Sequence, residues 1–103
     1  MLELFREVDI LLAPATPFPA PTLGTDSAIV NGKSVLLRPN IGLLTQPISF
    51  IGLPVVAVPV WNADLPIGVQ VIAAPWQESL ALRVAAWLEK EGVCRAPVAK
   101  DMP

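Results

Sequence analysis

Four serines, Ser27, Ser34, Ser49 and Ser79, are the hydroxyl groups most suited to nucleophilic chemistry in this sequence, and Ser34 alone has an amine base, Lys33, next to it. That adjacency is weak, because neighbouring residues of a strand point to opposite faces and both flank an Asn-Gly turn. No histidine is present, so a Ser-His-Asp or Cys-His couple cannot be assembled from this chain. Asp9, Asp26, Asp64 and Glu78 show neither the pairing of an acid/base couple nor the clustering of metal ligands. Glycines are few and isolated, so no phosphate-cradling loop is formed. The lone Cys94 reads as a small apolar residue near a helix end rather than as a reactive thiol. Catalysis, a metal and a cofactor are therefore not expected from these residues alone.

The elements that position these groups follow from periodicity. Leu2 and Phe5 among Glu3, Arg6 and Glu7 read as the tail of a longer helix. Residues 9–13 (DILLA) form an apolar run without alternation, which predicts a central strand covered on both faces. Pro14, Pro17, Pro19 and Pro21 make the next stretch a stiff, irregular connection, in which Thr16 is expected to bond backbone. Asn31-Gly32 between residues 28–30 and 34–36 predicts a hairpin. Residues 40–50 suggest a short helix interrupted near Pro47 and capped by Gly52. Residues 54–60 (PVVAVPV) and 66–73 (PIGVQVIA), around a turn at 62–64, predict two neighbouring antiparallel strands. Leu80, Val84, Trp87 and Leu88 recur at helical spacing over 77–91, with Glu78 near the start, Gly92 beyond the end and Trp87 expected in the core.

Size and composition bound the partners. With 103 residues the chain is one domain at most, able to bury about two thirds of its unfolded surface, yet it is 53% hydrophobic and 16% charged. The excess of apolar surface calls for cover, by more polypeptide or by a second copy, so a homo-oligomer is expected if the piece folds alone. A net charge of −2 without a basic stripe excludes a nucleic-acid footprint. Residues 39–63 carry no charge, but their four prolines break any membrane-spanning helix. The start of the chain lacks the marks of a secretory signal, and the single cysteine fits a reducing cytoplasm.

Three blocks in a fixed order carry further information: DILLAPATP at 9–17, TQPISFIGLPVVAVPV at 45–60 and LPIGVQVIAAPWQESLALRVAAWLE at 65–89. Together they resemble the C-terminal region of the amidase signature family, over nearly the whole chain, and the wording of the second block and of AAPWQE is similar to the branch of 1-carboxybiuret hydrolase type. The resemblance implies an α/β fold, the C-terminal fragment of the amidase signature fold, with a mixed β-sheet and flanking helices. It also implies serine acyl transfer on small linear, urea-like amides, with a serine nucleophile, a second serine in a cis peptide and a lysine base. Those groups belong to an N-terminal half, so none is carried over to these positions, and the chain alone is expected to be inactive.

In such enzymes this region supplies part of the sheet and one wall of the pocket. The resemblance therefore points to Arg38, Asn40, Thr45 and Gln46 as substrate-side candidates, with surface charge and helix-end capping as their alternative use. Ser49 and Gly42 depart from the asparagine and acidic group of other members, which argues against glutaminase chemistry. Two rival readings remain: a non-catalytic interaction module that docks through 39–63, and a peripheral membrane element, which the lack of a basic amphipathic face disfavours.

Overall fold

The computed structural model describes residues 2–18, 20, 23–36, 40–61 and 65–97. Its organising element is β5 (Pro66–Ala73), which pairs antiparallel with β1 (Ile10–Pro14) on one side and β4 (Val55–Trp61) on the other. The two β-branched runs at 54–60 and 66–73 are thus adjacent antiparallel strands, as their composition predicts. Among the three described strands the run 9–13 takes an edge position rather than the expected central one: β1 pairs with β5 alone, and Leu12 is 60% exposed. An apolar run reports affinity for cover, not the position of a strand in its sheet, and here the strand buried on both faces is β5. The α/β class holds, and every described strand pairing is antiparallel, so a parallel component of the expected mixed sheet does not come from these strands.

Side chains alternate across β5, and each face has its own cover. On one face Val71 and Ala73, both fully buried, pack with Val58, Cys94 and Ala81 of the long helix α2 (Glu78–Lys90). Ala73 and Ala81 are small, which lets the helix approach the sheet closely. On the other face Ile72 packs with Leu53 and with Ile48 of the short helix α1 (Gln46–Ile51). Phe5, in a 3-10 turn over Leu2–Arg6, borders this second cluster together with Leu11 and Ala13.

Local chemistry explains the ends of the helices. Pro47 does not interrupt α1 but sits in its first turn, where a missing N–H costs nothing and the fixed φ favours helix entry. Gly52 ends α1 at φ +81°, its N–H donating to the carbonyls of Ile48 and Ser49. α2 closes with a Schellman pattern, Val93 N–H to Leu88 O at 2.9 Å and Gly92 N–H to Glu89 O at 3.1 Å. Trp87 is 58% exposed rather than in the core, because it lies about a third of a turn from the middle of the sheet-facing stripe held by Ala81, Val84, Ala85 and Leu88.

A separate hairpin joins β2 (Ser27–Val30) to β3 (Lys33–Leu36). Asn31 and Gly32 have φ of 52° and 78°, the two positive values that a two-residue type I′ turn demands. The far edge of β4 is clasped by the segment after α2. Arg95 N–H donates to Pro59 O at 3.3 Å, Trp61 Nε1–H donates to Arg95 O at 2.8 Å, and the Arg95 guanidinium lies 5.1 Å from the Trp61 ring centroid. Because Pro59 presents its carbonyl outward, its missing N–H also faces away from β5 and costs the sheet no bond.

Candidate functional site

Of the candidate residues, Asn40 and Thr45 stand on the loop that leads into α1 and Gln46 is the first residue of that helix. Asn40 closes the approach from the hairpin, its Nδ2 donating to Leu36 O at 2.8 Å. The loop then folds on itself: Leu43 N–H reaches Asn40 O at 3.2 Å, and Gln46 N–H reaches Gly42 O at 2.9 Å. Thr45 Oγ1 stands 3.5 Å from Gly42 O, at the outer limit of a hydrogen bond. The Gln46 side chain lies over Gly42, where an added Cβ would meet its Cγ and Nε2 at 3.1 Å.

Asn40, Thr45 and Gln46 are therefore brought together within one short segment, Asn40 and Thr45 half-buried and Gln46 exposed. Arg38 lies outside the described residues. Asn40 uses its amide N–H on the backbone, as a turn residue does, while Gln46 is exposed. Thr16, as expected, turns inward to the backbone, its hydroxyl donating to Phe18 O at 2.8 Å.

Among the described residues the other polar groups do not assemble into a couple. Lys33 and Ser34 are both exposed on β3, and Ser49 and Ser79 are exposed on α1 and α2. Among the described residues no group of three or more His, Cys, Asp or Glu could hold a metal. Cys94 is buried, and burial pushes its thiol above the usual range, with Glu89 adding to the effect. The thiol form is thereby favoured over the reactive thiolate.

One polar residue escaped the reading of the sequence. Gln70, 2% exposed in the middle of β5, points to the α1 face, two residues from Ile72. Its Nε2 donates to Pro14 O at 3.1 Å and to Leu44 O at 3.0 Å, tying the end of β1 and the loop before α1 to the same strand. The available signal was the amide itself: a lone glutamine in a run buried on both faces must find partners.

Clefts among the described residues lie elsewhere. One of about 330 Å³ is lined by Pro54, Val55, Val56, Glu78, Ala81 and Leu82, between β4 and α2. Another of about 280 Å³ is bordered by Phe5, Asp9 and Leu80. Neither is lined by Asn40, Thr45 or Gln46.

Among the described residues the arrangement is an antiparallel sheet held between a long and a short helix. The chain belongs to the Amidase family, whose sequence pattern matches residues 1–82. It is 57% identical over 95 residues to the 1-carboxybiuret hydrolase subunit AtzE of Pseudomonas sp. (strain ADP), covering 89% of this chain and 21% of that protein. It is 40% identical over 94 residues to a fatty acid amide hydrolase of Medicago truncatula, covering 86% of this chain and 15% of the relative.

Two solved structures extend the likeness to the fold. A vestigial protein complex that reveals the evolutionary origins of an s-triazine catabolic enzyme superposes with a TM-score of 0.85 at 54% identity, covering 93% of this chain and 22% of the other. A crystal structure of an amidase superposes at 0.78 with 35% identity, covering 84% and 20% of the two chains. The chain spans 15–22% of the length of these relatives.

Proposed function

We propose that this chain is the C-terminal sheet and pocket wall of an amidohydrolase that cleaves C–N bonds of small linear amides of the biuret type by serine acyl transfer. The nucleophile and its base come from polypeptide outside these 103 residues. The observation that carries this reading is the 57% identity to a 1-carboxybiuret hydrolase subunit across 89% of the chain. The loop with Asn40, Thr45 and Gln46, joined by Arg38, is the substrate side: amide donors and acceptors and one guanidinium suit a small polar or anionic urea derivative. Cytoplasmic residence is part of the proposal, supported by the single cysteine.

The amount of surface left open supports a role as part of a larger body. The chain exposes 7908 Å², against about 5,600 Å² for a compact monomer of 11.0 kDa. Ile41, Leu43, Phe50 and Ile51 are exposed around the candidate loop, with Phe50 at 94%. The same patch would serve a non-catalytic docking module or a homo-oligomer.

One assay separates these readings. The isolated chain is expected to release no ammonia from biuret, whereas the amidase polypeptide that includes it releases ammonia at enzymatic rates. Enzymatic turnover by the isolated chain would overturn the division of labour. An inert longer polypeptide, with the isolated chain forming a stable oligomer in light scattering, would favour the docking module.

A further inference from the structure

We infer that Gln70 is a positioning residue: its single carboxamide couples the turn after β1 to the loop that carries Asn40, Thr45 and Gln46, and so sets the placement of the substrate side. The inference rests on the reading of that loop as a pocket wall. Its geometric part stands independently of that reading.

The two carbonyls that meet at Nε2 come from segments far apart in sequence, Pro14 at the end of β1 and Leu44 in the loop. Both are acceptors only, so the amide nitrogen must face them, and its two hydrogens match the two partners. Gln70 is almost fully buried, and the two bonds form where water cannot replace them. Among the described residues no buried side-chain N or O atom lacks a partner, so this polar spot is balanced as it stands.

Backbone packing at the neighbouring position holds one of the two segments against β5. Ala15 N–H donates to Gly68 O at 2.8 Å, carrying the β1 ladder one residue beyond Pro14. A Cβ on Gly68 would come 3.0 Å from the Ala15 Cβ, so glycine is what allows this close approach. The loop side has no such ladder. Between residues 40 and 45 its bonds are internal to the loop or run to Leu36 and to Gln46 and Ser49 of α1, and Gln70 to Leu44 is its hydrogen bond to the sheet among the described residues. The turn is therefore hydrogen-bonded to β5 twice and the loop once, which makes the amide the directional bond between the loop and the sheet, beside the apolar contact of α1 through Ile48.

Amide hydrogen exchange on the 103-residue chain tests the coupling with Gln70→Met, which keeps the length and removes both donors. The amides of Ala15 and Gln46 are expected to exchange at least about tenfold faster, as the loss of two buried hydrogen bonds requires. Interior amides of α2 should stay within about twofold of the parent, because a general loss of stability would move all three together. Acceleration at neither loop, or equal acceleration in α2, overturns the inference. If the variant does not fold, the parent chain decides: Ala15 and Gln46 amides should open with the same urea dependence, and different dependences overturn it.

The catalytic part is read in the amidase polypeptide that contains this segment, with biuret as substrate. Gln70→Met should raise KM about fivefold or more and leave kcat within about twofold, since it displaces a binding wall and not the reacting groups. Gln46→Ala is the control for the wall itself. If Gln46→Ala raises KM and Gln70→Met does not, the inference fails and the proposed function stands. If neither moves KM, the wall reading fails while the exchange result still decides the coupling.

Discussion

The two faces of β5 are covered in different ways. Toward α2 the contacts are apolar: Val71 and Ala73 meet Val58, Ala81 and Cys94. Toward α1 an apolar contact, Ile72 on Ile48 and Leu53, sits beside the hydrogen-bonded amide of Gln70. Apolar contact is non-directional and fixes that two elements stay together, whereas two hydrogen bonds to named carbonyls fix where a loop lies. The first face thus supplies adhesion, and the second supplies placement, on the side where the candidate residues stand.

The largest effect should come from the apolar part of the second face. Ile72 is 2% exposed and joins the sheet to α1, so Ile72→Ala should cost about 2–5 kcal/mol. On the first face Val71→Ala removes less volume and should cost less, by roughly one methylene or about 0.8 kcal/mol. Urea denaturation of both variants checks the pair. A larger loss at Val71 would show that α1 and its loop contribute little to the cooperative unit, and the contrast between the faces would break.

A smaller effect is expected where β1 turns across β5. Gly68→Ala places a methyl 3.0 Å from the Ala15 Cβ, between two backbones already joined by a 2.8 Å hydrogen bond. Overpacking of this kind costs about 1–3 kcal/mol. Ala15→Gly in the same chain should restore much of the loss, because it removes the atom that is struck. A double-mutant cycle by urea denaturation measures the coupling, and additive effects would mean that the strands move apart elsewhere.

These two sites show what the sequence could disclose. The hairpin was legible because Asn31-Gly32 is a local backbone demand. α2 was legible in its period and in Gly92, which the Schellman bonds require. The place of β1 was not, since the partner of a strand depends on residues some 60 positions away, and Leu12 looks the same whether covered or open. Trp87 misled for a related reason: helical spacing locates a stripe, but not its edges. The loop with Asn40, Thr45 and Gln46 came from family resemblance, while the anchor for that loop, Gln70, was visible only as an amide in an apolar run whose partners lie on two remote segments.

The mildest test concerns the apolar face and pH. Cys94 is 4% exposed and packs in the cluster with Val71 and Ala81, where loss of solvent, and secondarily the Glu89 carboxylate, hold its thiol above the ordinary value of 9.0. The folded chain therefore binds this proton more tightly than the unfolded chain does. The resulting stabilisation is complete below pH 9.0 and is lost as pH rises through the folded value, so stability should decline in alkali with a contribution of at most one proton. The quantity to read is the difference between the parent and Cys94→Ala. Urea midpoints at about pH 7 and about pH 10.5 should fall further in the parent than in the variant. Equal declines would mean that water reaches the thiol, and that the face toward α2 is not the dry one.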